Sequence, residues 1–346
     1  MNFKTVKKQA VLVDPRRPTQ PKSIPVEVRE DPLTGRTSRI CHFGLLKWAK
    51  PDLEKLVAGT EAACPFCPDK VLTATPQFPK EITPDGRFVR DDAVLFPNLA
   101  PYDSLGAVAT LGSRHYIPMA EIEPQRISRG FSLAFDFFRR VRDLNHPESV
   151  YHLISWNYMP PSGSSLIHPH LQVFATSTAP NELRQELMAA KIYLERHGSN
   201  YWDDLVAAEQ AQGERYLGKT GRISWLAGFA PFGVAGDVIG VAEDSRATLD
   251  LSESDLADLA FGLTRAMTAY DQMGLYSFNV CVFPGAAPDR FARLHVVFSP
   301  RIYYNPTLHT PDTTALRTLY GEGICAAFPE EIAGILRPHF TVPDGP

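Results

Sequence analysis

Two histidines and a glutamine alternate along one short, mostly apolar stretch of the chain. His168, His170 and Gln172 stand two residues apart within the segment GSSLIHPHLQVFAT, residues 163–176. Successive side chains of a β-strand point to opposite faces, so a strand here would present two imidazoles and a carboxamide side by side. An edge strand with a solvated face is the alternative, but Lys, Glu and Thr would serve that purpose. The alternation therefore favours a chemical site.

A turn of small polar residues precedes this stretch. Gly163, Ser164 and Ser165 supply hydroxyls and backbone N–H groups. Groups of this kind can cradle a phosphate. The turn therefore indicates a phosphate-containing ligand beside the histidines.

A cysteine pair forms a second candidate group. Cys64 and Cys67 have the C-x₂-C spacing that suits two thiolates on one tetrahedral zinc ion. A redox-active dithiol is the alternative, although no strand-then-helix setting of the thioredoxin type surrounds the pair. The sequence has no second C-x₂-C, so zinc would need two further ligands. His115 and His168 are candidates, but spacing alone does not single them out.

The familiar nucleotide-binding motifs give no support here. GERYLGKT, residues 213–220, matches the P-loop pattern, but a polar helix is expected before it and a strand after it. That order is the reverse of a genuine P-loop, which lies between a buried strand and a helix. We interpret the match as chance in a helix-to-strand turn. No G-x-G-x-x-G fingerprint occurs, so a Rossmann site is unsupported.

Composition and charge exclude several classes of protein. The chain has 346 residues, 44% hydrophobic and 21% charged, and its formal net charge is −4. A nucleic-acid polymer would need a basic surface, so it is not an expected partner. No segment has the length and apolarity of a membrane span, and no signal peptide is apparent. Five scattered cysteines do not make a disulfide framework, so we expect a reducing, cytoplasmic location.

The pattern of elements predicts an α+β fold. The order strand, helix, strand, strand, helix occurs twice, before and after residue 200, and short turns join neighbouring strands. Short connections favour antiparallel pairing, so we expect antiparallel sheets flanked by helices. Two halves of the chain would then contribute similar units.

The chain also resembles the galactose-1-phosphate uridylyltransferase family. This family is a branch of the histidine-triad superfamily with H-P-H-x-Q in place of a third histidine. The resemblance spans most of the chain and is densest between residues 60 and 190. Besides the histidine stretch, it is carried in family order by DPLTG (31–35), CPFC (64–67), Asn98, His115, Asn157, PNE (180–182), Glu186, WLAGFAPFG (225–233) and LHVVFSP (294–300).

This resemblance implies a fold, a metal and a set of roles. It implies two histidine-triad-like halves: residues 1–198, with a zinc site and a nucleophile, and residues 199–346. It implies one structural zinc ion per chain, a homodimer, and no membrane or nucleic acid as partner. The implied metal ligands are Cys64, Cys67, His115 and His168, the implied catalytic residues are His170, Gln172 and Ser165, and the implied nucleotide contacts are Asn98, Asn157, Gly163 and Ser164.

The implied chemistry is coherent for these side chains. Neutral imidazole attacks phosphorus at neutral pH and forms a labile phosphoramidate. The second ring nitrogen of His170 must then keep its proton by donating to an acceptor, which we expect to be a backbone carbonyl near His168. A Gln172 amide and a Ser165 hydroxyl aimed at the phosphoryl oxygens would stabilise the transition state, and no general base is needed.

One departure from the family concerns its second metal site, which uses a glutamate and three histidines. Glu186 and His295 are present in the sequence. Val297 stands where another histidine is expected, and Asn279 lies near the remaining position. We therefore expect no second metal ion.

A second departure concerns the sugar. The segment after residue 300 matches the hexose-binding stretch poorly, with only Tyr320 and Glu322 as candidates for its tyrosine and glutamate. Leu171 gives the H-x-H-L-Q form that resembles diadenosine tetraphosphate phosphorylases, and adenylylsulfate:phosphate adenylyltransferases have a similar kind of site. The acceptor is thus expected to be a small phosphate rather than a hexose phosphate.

The sequence therefore predicts a nucleotidyltransferase that works by double displacement through a nucleotidyl-histidine. The favoured reaction moves AMP from adenylylsulfate or an adenine dinucleotide to phosphate, giving ADP. A UDP-hexose:hexose-1-phosphate uridylyltransferase is the first alternative. A non-catalytic, zinc-stabilised nucleotide-binding protein and a dithiol oxidoreductase are alternatives from other classes.

Overall fold

The computed structural model describes residues 1–16, 20–41 and 46–341. Strands make up most of the framework. They are β1 (Thr5–Val13), β2 (Pro21–Glu30), β3 (Thr37–Cys41), β4 (Phe88–Arg90), β5 (Ala93–Pro97), β6 (Leu105–Thr110), β7 (Tyr151–Tyr158), β8 (His170–Thr176), β9 (Tyr216–Thr220), β10 (Ile223–Ala227), β11 (Val238–Ala242), β12 (Ser277–Phe283), β13 (His295–Arg301), β14 (Tyr303–Asn305), β15 (Thr310–Pro311) and β16 (Gly323–Cys325).

Helices fill the connections between these strands. The longest two, α3 and α6, each occupy the crossover before a central pair of strands. The helices are α1 (Leu53–Val57), α2 (Val71–Ala74), α3 (Pro124–Asp143), α4 (Asn181–His197), α5 (Tyr201–Gln212), α6 (Glu253–Gln272), α7 (Ala315–Thr318) and α8 (Pro329–Phe340).

One ten-stranded antiparallel sheet organises the molecule. Its order is β4-β5-β6-β8-β7-β12-β13-β11-β10-β9. Read from either edge, each half contains three consecutive strands, then a helical crossover, then two strands that close the centre. β7 and β12 are therefore equivalent, as are β8 and β13. The expected α+β fold with two similar halves is confirmed.

Helices α3 and α6 cover one face of this sheet. Leu171, the residue between His170 and Gln172, is fully buried on that face. It faces α3 at Gly130, where an added Cβ would lie 3.2 Å from the Leu171 side chain and 2.3 Å from that of Leu111. Since strand side chains alternate, packing Leu171 against α3 turns its two polar neighbours to the opposite face.

That opposite face of the central strands is only partly covered. Gln172 on β8, Asn157 on β7 and Asn279 on β12 are all half-buried there, whereas their strand neighbours on the helix side are buried. The candidate site lies on this open face.

Several local signals in the sequence proved reliable. Gly198 ends α4 in the left-handed conformation with φ 73°, and Ser252 caps α6 through the backbone N–H of Asp255. The P-loop-like segment runs from Gly213, the C-cap of α5, through strand β9. It therefore follows a helix and does not lie between a strand and a helix, which confirms its interpretation as a chance match.

A second sheet joins the two ends of the chain. Its order is β1-β2-β3-β16, with β16 parallel to β3. The N-terminal strands thus pair with a C-terminal strand across the expected division at residue 198, which stays a prediction. Among the described residues, no helix has the length and apolarity required to span a bilayer.

Candidate active site

His170 begins strand β8 with its imidazole in a defined orientation. Its Nδ1 lies 2.8 Å from the backbone oxygen of His168. A carbonyl can only accept, so Nδ1 carries the proton and Nε2 keeps its lone pair. Burial lowers the pKa of His170, which favours the neutral ring. The site therefore holds an imidazole whose Nε2 can act as a nucleophile.

A carboxamide pair lies beside this imidazole. Asn98 Nδ2 donates to Gln172 Oε1 at 3.0 Å, and the backbone N–H of Ala100 donates to Asn98 Oδ1 at 3.0 Å. Since a backbone N–H can only donate, these contacts fix the Asn98 amide and, through it, the Gln172 amide. Gln172 consequently has its oxygen occupied and its N–H₂ group available to a ligand.

Asn157 lies on the other side of His170. It directly follows Trp156, which pairs with Leu171 across β7 and β8, so Asn157 stands opposite His170. Its Oδ1 is 2.6 Å from Asn279 Nδ2 on β12. The structure thus brings Asn98, Gln172 and Asn157 together around His170. Their expected roles in binding and catalysis stay predictions.

The small-residue turn connects β7 to β8. Ser164 Oγ donates to the backbone oxygen of Leu166 at 2.7 Å, which commits its hydrogen within the turn. Gly163 has φ 88°, a left-handed conformation that glycine adopts without strain. Ser165 is exposed. The ligand contacts expected of Gly163, Ser164 and Ser165 stay predictions.

Phe66 is a neighbour of His170 that the sequence analysis missed. It lies between Cys64 and Cys67, and its ring centroid is 5.2 Å from that of His170 in an edge-on arrangement. It also lies 5.2 Å from Phe96 on β5. Its position inside the C-x₂-C loop was the only signal, because its contacts depend on how that loop folds over the sheet.

The four expected metal ligands converge beside this site. The potential donor atoms of Cys64, Cys67, His115 and His168 all lie within 4.8 Å of one another. Cys67 Sγ is 3.4 Å from His115 Nδ1 and 3.9 Å from His168 Nδ1. Donors on one tetrahedral ion are separated by roughly 3–4 Å, given metal–ligand distances of about 2.0–2.3 Å. The cluster could therefore hold one metal ion.

The surroundings of these ligands favour metal binding. His168 Nε2 lies 2.8 Å from the backbone oxygen of Gly112, so Nε2 carries the proton and Nδ1 turns its lone pair towards the thiols. Burial lowers the pKa of His168 to about 4, which keeps the ring neutral. Burial and the adjacent Cys64 raise the pKa of Cys67 to about 11. A bound cation would stabilise the thiolate and so offset the free-energy cost of deprotonating Cys67 in this buried position.

His295 on β13 is the structural counterpart of His170 in the second half. Its Nδ1 lies 3.1 Å from the backbone oxygen of Arg293, which repeats the contact two residues back. The ring is stacked between Trp202 and Phe283 at centroid distances of 3.8 Å and 4.9 Å. Its Nε2 is 3.2 Å from Glu186 Oε2. The imidazole is therefore held between two aromatic rings, beside a small cleft that Glu186 and Val297 also line.

The strand registers show that the residues around His295 differ from those around His170. Phe283 pairs with His295, the position that Asn157 holds opposite His170. Val297 stands two residues after His295, where Gln172 follows His170. Apolar groups have thus replaced both carboxamides. The described part of the chain contains one group of three or more potential metal ligands, the Cys–His cluster beside β8.

The chain thus has the sequence H-P-H-x-Q leading into a central strand, with a Cys–His cluster beside it. No family model matches the chain. An uncharacterised protein of Archaeoglobus fulgidus is 34% identical over 259 residues, covering 75% of this chain and 76% of the relative. A galactose-1-phosphate uridylyltransferase of Haemophilus influenzae is 31% identical over 156 residues, covering 42% of this chain and 43% of that enzyme.

Solved structures show the same fold. An ADP-glucose phosphorylase from Arabidopsis thaliana with bound ADP-glucose superimposes with a TM-score of 0.66 at 18% identity, covering 90% of this chain and 98% of that one. The chain thus shares the fold of this phosphorylase and, over 156 residues, sequence similarity with a galactose-1-phosphate uridylyltransferase.

Proposed function

We propose that this protein transfers a nucleotidyl group by double displacement, with His170 as the nucleophile. The contact that carries the proposal is the hydrogen bond from His170 Nδ1 to the His168 carbonyl, which leaves a lone pair on Nε2. The sequence similarity to a galactose-1-phosphate uridylyltransferase and the fold shared with an ADP-glucose phosphorylase support nucleotidyl transfer as the class of reaction.

Each half of the reaction balances without a protein base. In the first step Nε2 attacks the α-phosphorus of the donor, and the bond from phosphorus to the leaving oxygen breaks. The leaving group departs with the bonding pair as an anion. In the second step an acceptor oxygen attacks the same phosphorus and the P–N bond breaks, which restores Nε2. The Nδ1 proton stays on the ring, held by the His168 carbonyl.

Gln172 would lower the barrier of both steps. Asn98 occupies its oxygen, so the Gln172 N–H₂ group points its donors at a ligand. Charge on the phosphoryl oxygens rises in the transition state, where a preoriented donor contributes most. Ser165, Ser164 and Gly163 would contact the phosphates from the turn.

We assign zinc to the Cys–His cluster. Two thiolates and two imidazoles are a usual ligand set for structural zinc, and the four groups fill the tetrahedron. Zinc would contribute rigidity, because His168 supplies both a metal ligand and the carbonyl that orients His170. Cys64, Cys67, His115 and His168 would hold it, away from the bonds that change.

The favoured donor is adenylylsulfate or an adenine dinucleotide, and the favoured acceptor is phosphate. The H-x-H-L-Q form of the site and the poor match to a hexose-binding stretch support this choice. Proteins of this fold include an ADP-glucose phosphorylase, so an adenine nucleotide is compatible with the scaffold. The uridylyltransferase from Haemophilus keeps uridylyl transfer to a hexose phosphate as the second candidate. The homodimer expected from the family belongs to the same proposal.

Product analysis with matched donors and acceptors tests the substrate class. Adenylylsulfate or diadenosine tetraphosphate with phosphate should yield ADP, and His170→Gly should abolish it. UDP-glucose with galactose-1-phosphate yielding UDP-galactose would instead establish the second candidate. Equal background rates in wild type and His170→Gly with every pair would contradict nucleotidyl transfer and favour a binding protein.

A further inference from the structure

Two residues of the second half reach the candidate site through Asn157. Asn279 on β12 pairs directly with Asn157 on β7 across the centre of the sheet. Asn279 Nδ2 lies 2.6 Å from Asn157 Oδ1 and 3.0 Å from the backbone oxygen of Ser162. On its other side, Arg301 Nη1 donates to Asn279 Oδ1 at 2.6 Å. A series of hydrogen bonds thus joins Arg301, at the end of β13, through Asn279 to Asn157, the residue opposite His170.

The hydrogen-bonding partners of Asn279 fix the orientation of the Asn279 amide and, through it, that of the Asn157 amide. A guanidinium can only donate, so the Asn279 atom facing Arg301 must be its oxygen. The Ser162 carbonyl can only accept, so the Asn279 atom facing it must be the nitrogen. Asn157 consequently accepts through its oxygen on the β12 side. Its N–H₂ group is therefore not engaged by Asn279.

Arg301 is itself held in place. Its Nε donates to Asp312, at 2.8 Å from Oδ1, and its Nη2 donates to Thr313 Oγ1 at 3.0 Å. Asp312 is fully buried and also pairs with Arg317, which is 4% exposed. A buried carboxylate shared by two guanidiniums is a rigid anchor, since moving Arg301 or Arg317 would weaken the pairing of a buried charge. The orientation of Asn279 is therefore set from outside the site.

On both sides of His170, a neighbouring asparagine occupies the oxygen of a carboxamide. On one side Asn98 occupies the Gln172 oxygen, and on the other Asn279 occupies the Asn157 oxygen. Both carboxamides present N–H donors, as an acceptor-rich anion such as a phosphoryl group requires.

We propose that Asn279 and Arg301 are positioning residues for transfer at His170. They hold the Asn157 amide with its N–H₂ group towards the phosphoryl oxygens, so the second half of the molecule takes part in the reaction of the first. This inference rests on the proposed function.

Asn279→Asp tests the proposal because it changes one donor into an acceptor. The new carboxylate keeps the Arg301 contact but cannot donate to Asn157, whose amide should turn its nitrogen towards β12. We expect the rate of His170 nucleotidylation in a single turnover to fall about 100-fold, the usual scale for losing one transition-state donor. Nucleotide affinity should change less than the rate does. Asn305→Asp, the same change at an exposed site on β14, should leave the rate unaltered.

A double-mutant cycle separates positioning from a direct effect of the added charge. If Asn279 acts through Asn157, Asn279→Asp should cause no further loss in an Asn157→Ala background. An undiminished loss in that background, or a normal rate in Asn279→Asp alone, would overturn the proposal while the function stands. If Asn279→Asp unfolds, Asn279→Ala replaces it in the cycle with the same expectation. A wild-type protein that no nucleotide donor labels would overturn function and positioning together.

Discussion

At the residue scale, the site depends on which atom of each polar group faces the ligand. The His170 imidazole, the Gln172 amide and the Asn157 amide each have one polar atom held by the protein, so that Nε2 and two N–H₂ groups are left for substrate. An imidazole lone pair between amide donors suits attack on a phosphoryl group. The same atoms would suit a cationic ligand poorly.

Gln172 offers a pair of variants that probe this donor role. Gln172→Ala should slow transfer about 100-fold with a smaller change in donor affinity, because the contact is strongest in the transition state. Gln172→Glu has nearly the same shape and can still accept from Asn98, but it turns an oxygen towards the phosphate. We expect an equal or greater loss of rate in that variant. Single-turnover rates and nucleotide titrations make the comparison, and an active Gln172→Glu enzyme would refute the donor role.

The residue types of the site could be predicted from sequence, whereas their hydrogen bonds could not. The two-residue period at His170 and Gln172 reports the parity of strand β8, whereas His168 lies in the bend before that strand. The pairing of Asn157 with Asn279 joins strands 122 residues apart in sequence, and no local pattern reports such a contact. In the sequence, Asn279 stood out only because it lies near a position where a metal-binding histidine was expected.

At the element scale, buried packing on one face of the sheet presents the chemistry on the other. Leu171 packs against α3 and so fixes strand β8 on the helix-covered face of the sheet. The second long helix, α6, packs on the same face of the second half. Helices and caps were predictable because their signals are local, as at Gly198 and Ser252. The sheet order was less accessible, since neighbours such as β7 and β12 come from different halves of the chain.

Ser252→Ala tests the contribution of the α6 cap. Ser252 Oγ accepts from the N–H of Asp255, whose carboxylate accepts in return from the Ser252 backbone. Losing a cap of this kind typically costs about 1 kcal/mol of the free energy of unfolding. Ser254→Ala, an exposed position inside the same helix, is the matched control and should be neutral or slightly stabilising. Equal stabilities of the two variants in urea titrations would contradict the assignment of the cap.

At the scale of the whole molecule, an ion group joins N-terminal strand β2 and C-terminal helix α8 to the second half of the chain. Glu330 on α8 accepts from Arg29 on β2 at 2.8 Å and from Arg215 at 2.7 Å. Burial opposes ionisation of Glu330, but the hydrogen bonds and charges of Arg29 and Arg215 outweigh it and lower its pKa from 4.5 to about 2. This ion group therefore fastens the N-terminal strands to the C-terminal helix.

The lowered pKa of Glu330 gives a pH-dependent prediction. A depressed folded-state pKa stabilises the protein above the unfolded value near 4.5, and the contribution is lost as pH falls towards 2. Glu330→Gln should cost about 2 kcal/mol at pH 7, and the difference from wild type should shrink between pH 4.5 and pH 2. Denaturant titrations across this range measure it. A difference that is constant with pH would show that the charge is not responsible.

The proposed zinc ion links stability to the site. Cys64→Ser should lose bound zinc and lower the melting temperature, because metal binding and folding are coupled. Cys41→Ser lies outside the ligand cluster and should keep both properties. Zinc content and thermal melts decide the matter, and wild-type values in Cys64→Ser would contradict a structural metal at this cluster.

The central claim is that His170 carries the nucleotide between donor and acceptor. Intact-protein mass spectrometry after brief incubation with adenylylsulfate and, separately, UDP-glucose, both without acceptor, tests it most directly. The account predicts a gain of one AMP from adenylylsulfate that acid removes, that phosphate discharges as ADP, and that His170→Gly does not acquire. A protein that turns over either donor at full rate without any adduct, or a His170→Gly variant that is labelled like wild type, would contradict it.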